Sequence, residues 1–225
     1  MPWNVEVTDE CRAWLEALNE DDFDAIDYSV DLLTERGPQL DHPHSSKING
    51  SKHANMRELR VQSGGRPIRV CGLYLPNGNP APGPKYDYKL AWMERLQARA
   101  AELIAGEETA VVLGDYNVIP EPRDCWNPAV WANDALYLPP TRGAFRRMLN
   151  LGYTDALRAV DQGPGIYTFW DYQAGAFQKN WGIRIDHVLL SPQAADRLET
   201  CGIDAETRSR EKPSDHVPIW VTLEG

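Results

Sequence analysis

The chain has 225 residues, 42% of them hydrophobic, and a net charge of −10 at pH 7. That is enough apolar material for one large domain, or a medium domain with a small one, and it argues against wholesale disorder. The acidic balance speaks against a protein that coats nucleic acid electrostatically, and no segment approaches the ~18 apolar residues of a membrane span. The amino terminus lacks a basic stretch followed by an apolar run, and Cys11, Cys71, Cys125 and Cys201 form no CxxC pair. A cytoplasmic protein with reduced thiols is the expectation.

Residues 3–8 alternate as a short strand. Thr8 or Asp9 then caps a helix over 10–18, with Cys11, Trp14, Leu15 and Leu18 at helical spacing. Asp21 or Asp22 opens a second helix with Phe23, Ile26, Val30 and Leu33 on one face, and Gly37-Pro38 stops it. Residues 39–55, including His42, His44 and His53, read as loop. Met56 to Val61 and Pro67 to Leu75 read as strands joined by a Ser63-Gly64-Gly65 turn. A Pro-, Gly- and Asn-rich loop follows, then a helix over 87–105. Ala110 to Leu113 is a strand that ends in Gly114-Asp115-Tyr116-Asn117, and 119–141 is a long loop of the kind that carries function. A helix over 142–151, strands at Thr168 to Tyr172 and Ile185 to Leu190, a helix over 192–200 and a strand over 217–223 complete the chain. Strands alternate with helices, so the class is α/β or α+β.

Three motifs place polar residues at strand ends: VVLGDYN, RIDHVLLS and KPSDHVPIW. Asp115 and Asn117 are two apart and share a face in extended chain. Carboxylates and a carboxamide suit a hard, oxygen-seeking cation, and an Asp–His pair suits proton transfer or stabilisation of an oxyanion. Metal-assisted attack of water on a phosphodiester needs these groups together. Taken singly, each motif also suits a turn, a solvated strand residue or a helix cap. Their joint occurrence in this order carries the functional reading.

GDYNV, GIRIDHVLLS and KPSDHVPIW resemble successive motifs of the exonuclease III family of endonuclease/exonuclease/phosphatase enzymes, and LYLPNGNP, YDYKL and YTFWDYQAG fit its bacterial branch. The resemblance runs from Val70 to the end. It implies the carboxy-terminal half of a four-layer α/β sandwich over residues 70–225, and Mg²⁺-dependent hydrolysis of DNA phosphodiesters (Mn²⁺ as the second choice). The substrate would be double-stranded DNA with abasic sites or 3′ ends. Carried onto matching positions, it makes Asp115 the group that orients or deprotonates water, Asn117 its helper and His216 a contact to the scissile phosphate. Asp186 would set the tautomer of His216, Tyr74 would donate to the phosphate, and Asp215 would lie at the metal. Phe169 and Trp170 match an aromatic pair that packs on the abasic sugar, with a place in the core as the alternative. Arg184 and Lys212 would reach the DNA backbone or be solvated surface, within a set of basic residues that includes Arg142, Arg146, Arg147, Lys179, Arg208 and Arg210.

The family's amino-terminal half, with its strand-borne Asn and metal-binding Glu in a QET-like motif, has no clear counterpart. Trp3-Asn4-Val5 imitates the family's opening, which makes Asn4 a formal metal-site match. Glu6, Glu58 and Asp9 are candidates to replace the Glu. Residues 1–69 instead resemble part of a RelE/HigB-type toxin, a small αβ messenger-RNA nuclease. In that reading Lys47, Lys52, Arg57, Arg60, Arg66 and Arg69 would face RNA or a ribosome. Three functions are therefore expected in competition: a nuclease impaired by the missing half, a toxin-like RNA-cleaving protein, and an inactive DNA-binding remnant.

Overall fold

A computed structural model describes residues 5, 9–40, 44–47, 57–63 and 66–224. Asn4, Glu6, and the two histidines at 42 and 53 lie outside the described residues, as does the predicted strand over 3–8 except for Val5. Only the backbone is described at Asp9 and Glu58.

Helix α1 spans Asp9–Glu16 and α2 spans Glu20–Arg36. The cap of α2 is Asn19, whose side chain accepts from the Asp22 amide at 3.0 Å, rather than the aspartates expected to open it. Glu20, Asp21 and Asp22 fill the first turn, where the helix dipole favours acids. Gly37 ends the helix at φ 52°, as its sequence predicts. The apolar face is only partly covered: Phe23 and Trp14 remain exposed.

Six strands form one sheet in the order β1-β2-β3-β4-β6-β5. β1 is Ser45–Lys47, inside the segment expected to be loop, and β2 is Arg57–Ser63. β3, Arg66–Tyr74, runs without interruption through the expected boundary at residue 70 and pairs antiparallel with β2. Helix α3, Pro84–Ala105, returns the chain to β4, Ala110–Asp115, which pairs parallel to β3. The loop after β4 holds a 3₁₀ turn at Pro122–Asp124 and the short helix α4, Pro128–Trp131. Then come α5 (Pro139–Asn150), β5 (Thr154–Asp155), α6 (Ala156–Val160) and β6 (Asp186–Leu190). Helix α7 covers only Pro192–Ala195. The rest of the predicted 192–200 helix is the start of β7, Leu198–Ile203, which pairs with β8, Ile219–Leu223, as a separate two-stranded sheet. Thr200 and Cys201 pair with Thr222 and Val221 of β8, a long-range pairing that local spacing in so short a run does not reveal.

Period-two alternation sorts the sheet's side chains into two layers. Cys71, Leu73, Val112 and Leu189 point to one side, where Trp92, Met93 and Leu103 of α3 and Phe145 and Met148 of α5 cover them. Val111, Val188 and Leu190 point to the other, against Leu157 of α6 and Cys201, Ile219 and Val221 of the second sheet. The mixed α/β class expected from the sequence therefore holds as layered helices, sheet and sheet. No helix among the described residues is long and apolar enough to cross a membrane.

Candidate active site

Three strand ends meet at one edge of the main sheet. β3 and β4 are in parallel register, which sets Tyr74 beside Asp115. β4 and β6 are antiparallel, which sets Asp115 opposite Asp186. Gly114 makes the first junction possible: its φ is 139°, and a Cβ there would lie 2.0 Å from the Leu73 carbonyl oxygen. The GD pair is thus a close approach of two backbones as well as a placement of Asp115.

Beyond β4 the chain turns sharply, and Asn117 takes φ 48°. Its backbone amide donates to Asp115 Oδ1 at 2.7 Å and its side-chain amide to Asp115 Oδ2 at 2.8 Å, so both carboxylate oxygens are held by one residue. The same Asn117 Nδ2 donates to the Leu75 carbonyl at 2.8 Å, while Asn77 Nδ2 donates to Asn117 Oδ1 at 3.2 Å. Burial of Asp115, then the charge of Asp186, push its carboxyl up to about 6 against the opposing pull of the Asn117 amide and His216. Such a group is ionised at neutral pH yet basic enough to take a proton.

His216 reaches this edge through a short bridging segment. Thr168 N donates to Ile183 O, Val217 N to Thr168 O and Trp170 N to Asp215 O, each at 2.9 Å. Buried Thr168 also accepts the Ile185 and Asp186 amides on its hydroxyl, both at 3.1 Å. The segment predicted as a strand at Thr168 to Tyr172 is therefore a set of isolated bridges that lays His216 over Asp186. His216 Nδ1 lies 2.9 Å from Asp186 Oδ2 and 3.2 Å from Oδ1. Burial alone would lower the imidazole's proton affinity, but the hydrogen bond and charge of Asp186, with Asp115 and Asp215 behind them, raise it. Phe169 packs its ring edge-on to His216 at 5.1 Å. Tyr74 is exposed at the rim.

The structure thus brings together Tyr74, Asp115, Asn117, Asp186 and His216, with Phe169 alongside and Asp215 next in the chain. Other expectations need correction. Trp170 is 3% exposed, its indole donating to Asn180 Oδ1 at 3.1 Å between Tyr167 and Phe177, so it is a core aromatic and only Phe169 borders the site. Arg184 is 1% exposed and bonds Asp124 Oδ1 at 2.7 Å and Asp155 Oδ2 at 2.8 Å. It cannot reach a DNA backbone from there. Arg208 is likewise buried, against Tyr172 and Phe177, and Arg69 is buried on Glu108, whereas Lys212 is exposed.

Two buried groups escaped the sequence reading. Lys89 lies fully inside and donates to the Asn117 carbonyl at 2.6 Å and the Asn77 carbonyl at 2.9 Å. His187, next to Asp186 on the opposite face, accepts from Arg184 Nη1 on Nδ1, so its Nε2–H donates to the Val118 carbonyl, each contact 2.9 Å. Burial, then the Arg184 charge, lower His187 to about 4, so it stays neutral while it braces the turn after Asn117. The apolar spacing of α3 hid Lys89 on an inward face. His187 follows Asp186 on a strand, so it faces the other side of the sheet, and nothing in RIDHV marks that side as polar.

Among the described residues no group of three or more His, Cys, Asp or Glu is arranged to hold a metal ion. Asp115 spends both oxygens on Asn117, Asp186 both on His216, and Asp215 has a single long contact from Ser214 Oγ at 3.5 Å. The described donors therefore do not form a complete divalent-cation site.

Residues 3–216 match the model of the Endonuclease/Exonuclease/phosphatase family. Exodeoxyribonuclease III of Haemophilus influenzae is 29% identical over 203 residues, 86% of this chain and 75% of the relative. An exodeoxyribonuclease of Bacillus subtilis is 32% identical over 157 residues, 69% of this chain and 60% of the relative. Among solved structures, an AP endonuclease from Archaeoglobus fulgidus superposes with a TM-score of 0.69 at 36% identity, over 75% of this chain and 65% of that one. A 3′-5′ exonuclease from Neisseria meningitidis gives the same TM-score and coverages at 34% identity. The chain thus spans less than two thirds of the Bacillus relative and of both structural neighbours. The family match includes the segment that resembles a toxin, and these matches lend that toxin reading no support. The chain belongs to the Endonuclease/Exonuclease/phosphatase family.

Proposed function

We propose that this protein hydrolyses phosphodiesters of double-stranded DNA, at abasic sites or from 3′ ends. The carrying observation is the meeting of Asp115, Asn117, Asp186 and His216 at one sheet edge in a chain whose relatives are named as exodeoxyribonucleases and AP endonucleases. In this reading Asp115 takes the proton of a water held beside Asn117. The water oxygen bonds to phosphorus as the ester P–O bond breaks, and the departing oxygen takes its proton from solvent. His216, its proton affinity raised by Asp186, faces a non-bridging oxygen and donates to it as negative charge develops there. Tyr74 donates to the phosphate, Phe169 packs on the sugar and Lys212 lies along the backbone.

Relatives of this kind work with a divalent ion, and Mg²⁺, with Mn²⁺ as a substitute, is the proposed one. Asp215 and a residue from the first 58 would have to supply the oxygens that the described side chains lack. We also propose the division into a first segment of residues 1–69 and a nuclease-like part of 70–225, the two sharing strand β3's sheet. The test is incision of a duplex carrying one abasic site, compared with an intact 3′-recessed duplex and single-stranded RNA, with Mg²⁺, Mn²⁺ or chelator. DNA cleavage that requires the metal supports the proposal. Cleavage of RNA alone, or DNA binding without cleavage, would replace it with the RNA-cleaving or the remnant reading.

A further inference from the structure

Lys89 is fully buried, and the chemistry above gives it no part. Its helix is α3, the crossover between β3 and β4, so its side chain points up through the core toward the turns that end both strands. There the ammonium donates to the Asn77 carbonyl in the turn after β3 and to the Asn117 carbonyl in the turn after β4. Those two turns are also tied at their side chains by Asn77 Nδ2 to Asn117 Oδ1. Lys89 closes the connection at backbone level. A second strut runs from the same loop: Asn79 Nδ2 donates to both oxygens of Asp134 at 3.1 Å, and the Ala135 amide donates to Asn79 Oδ1 at 3.1 Å. The stem of Lys89 is enclosed as tightly as its head. Gly78 has φ 92°, and a Cβ at that position would meet Lys89 Cδ at 2.6 Å.

This arrangement matters because Asn117 sits at φ 48°, a conformation that a non-glycine residue holds only when its surroundings fix it. Asn117 in turn holds both oxygens of Asp115. A displacement of the Asn117 carbonyl is therefore passed directly to the carboxylate. Buried ammonium groups are costly unless their donors are met. Here two of three N–H groups are met by carbonyls of the turns; burial still lowers the ammonium to about 7, against the opposing pull of the Asp134 and Asp115 charges.

We infer that Lys89 is a positioning residue: it locks the turns after β3 and β4 to each other and so sets Asn117 and, through it, Asp115 in reacting geometry. The inference rests on the proposed nuclease reading for its catalytic consequence, but its structural content stands apart from it.

Two measurements on the full chain keep these separable. The first is NMR of protein labelled with ¹⁵N. The wild type should give one slowly exchanging lysine NH₃⁺ signal at about pH 6, absent from Lys89→Met, and Lys89→Met should move the Asn117 backbone and side-chain amide signals while leaving those of Gly152 and Arg197 in place. No protected NH₃⁺ signal in the wild type, or unmoved Asn117 signals in the variant, overturns the inference whether or not the protein cleaves DNA. The second is steady-state cleavage of abasic duplex. Misplacement of a reacting group by about 1 Å costs on the order of 10²-fold, so kcat of Lys89→Met should fall about 10- to 100-fold with KM within about threefold. An unchanged kcat, or a loss confined to KM, overturns it. Should Lys89→Met give no cooperative melt, Lys89→Gln, which keeps one donor group, takes its place with the same two readouts. It should lie between wild type and complete loss in kcat; a value equal to wild type overturns the positioning role. A wild type that cleaves nothing defeats the proposed function and leaves the NMR result to decide this inference.

Discussion

Asp115→Asn should make the protein more stable at neutral pH while removing its chemistry. In the folded chain the Asp115 carboxyl is pushed from 3.8 to about 6, by burial first and by Asp186 second. The folded state therefore holds this proton more tightly than the unfolded chain between those values. Stability contributed by the protonated form is present at low pH, declines as pH rises through about 4 to 6, and is gone above it. At about 1.4 kcal/mol per tenfold change in proton affinity, the ionised carboxylate costs up to about 3 kcal/mol at pH 8. Asparagine removes that charge but keeps only one acceptor for the two Asn117 donors, which returns about 1–2 kcal/mol. The net gain is about 1–2 kcal/mol, or roughly 3–6 °C in Tm for a chain of this size. Thermal melts of both proteins from pH 3.5 to 8.5 read it directly: the difference should grow through pH 4–6 and level off above. A variant less stable than wild type at pH 8, or a gain that is the same at pH 3.5, would refute the electrostatic reasoning.

Other expectations follow from single contacts. Arg184→Ala leaves Asp124 and Asp155 with less compensation inside the core and should cost about 3–5 kcal/mol in urea melts, far beyond the surface value that a DNA-contacting arginine would show. Gly114→Ala, with its Cβ driven into the Leu73 carbonyl, should fail to fold or lose several kcal/mol; normal stability would mean that β3 and β4 do not approach as described. Asp186→Asn should lower the proton affinity of His216, so the alkaline limb of the kcat profile should shift toward acid. The raised His216 contributes stability below about pH 6.5 that is lost as pH rises through its folded value, so the variant's deficit in Tm should be larger at pH 6 than at pH 9. A deficit independent of pH would show that the contact is not ionic.

The sequence exposed the parts whose chemistry sits beside a strand's end. Asp115, Asp186 and His216 stood out because each follows or begins an apolar run, and strand pairing then did the rest. What stayed hidden was set by tertiary contact. The inward direction of Lys89 depends on α3 running beneath two turns, and no spacing rule marks a core lysine that bonds carbonyls. Arg184 and Trp170 carry polar or aromatic chemistry that suits a surface site equally well, and only packing assigns them to the interior. Thr168, which receives two backbone amides, lies in a segment whose alternation suggested an ordinary strand. Only two residues separate the end of α7 from the start of β7, a gap too short for local spacing to divide a helix from a strand. The toxin-like reading of residues 1–69 rests on sequence segments there and on the order of strand and helices, and the family match over 3–216 gives it no support.

The most direct test of the central claim is single-turnover incision of an abasic duplex by wild type, Asp115→Asn and His216→Asn, each checked for a cooperative melt. The wild type should give metal-dependent incision, and each variant a fall of about 10²- to 10⁴-fold with duplex binding kept. Incision that survives both substitutions in folded protein would contradict that claim, because cleavage would then come from somewhere other than the edge where β4, β6 and His216 meet.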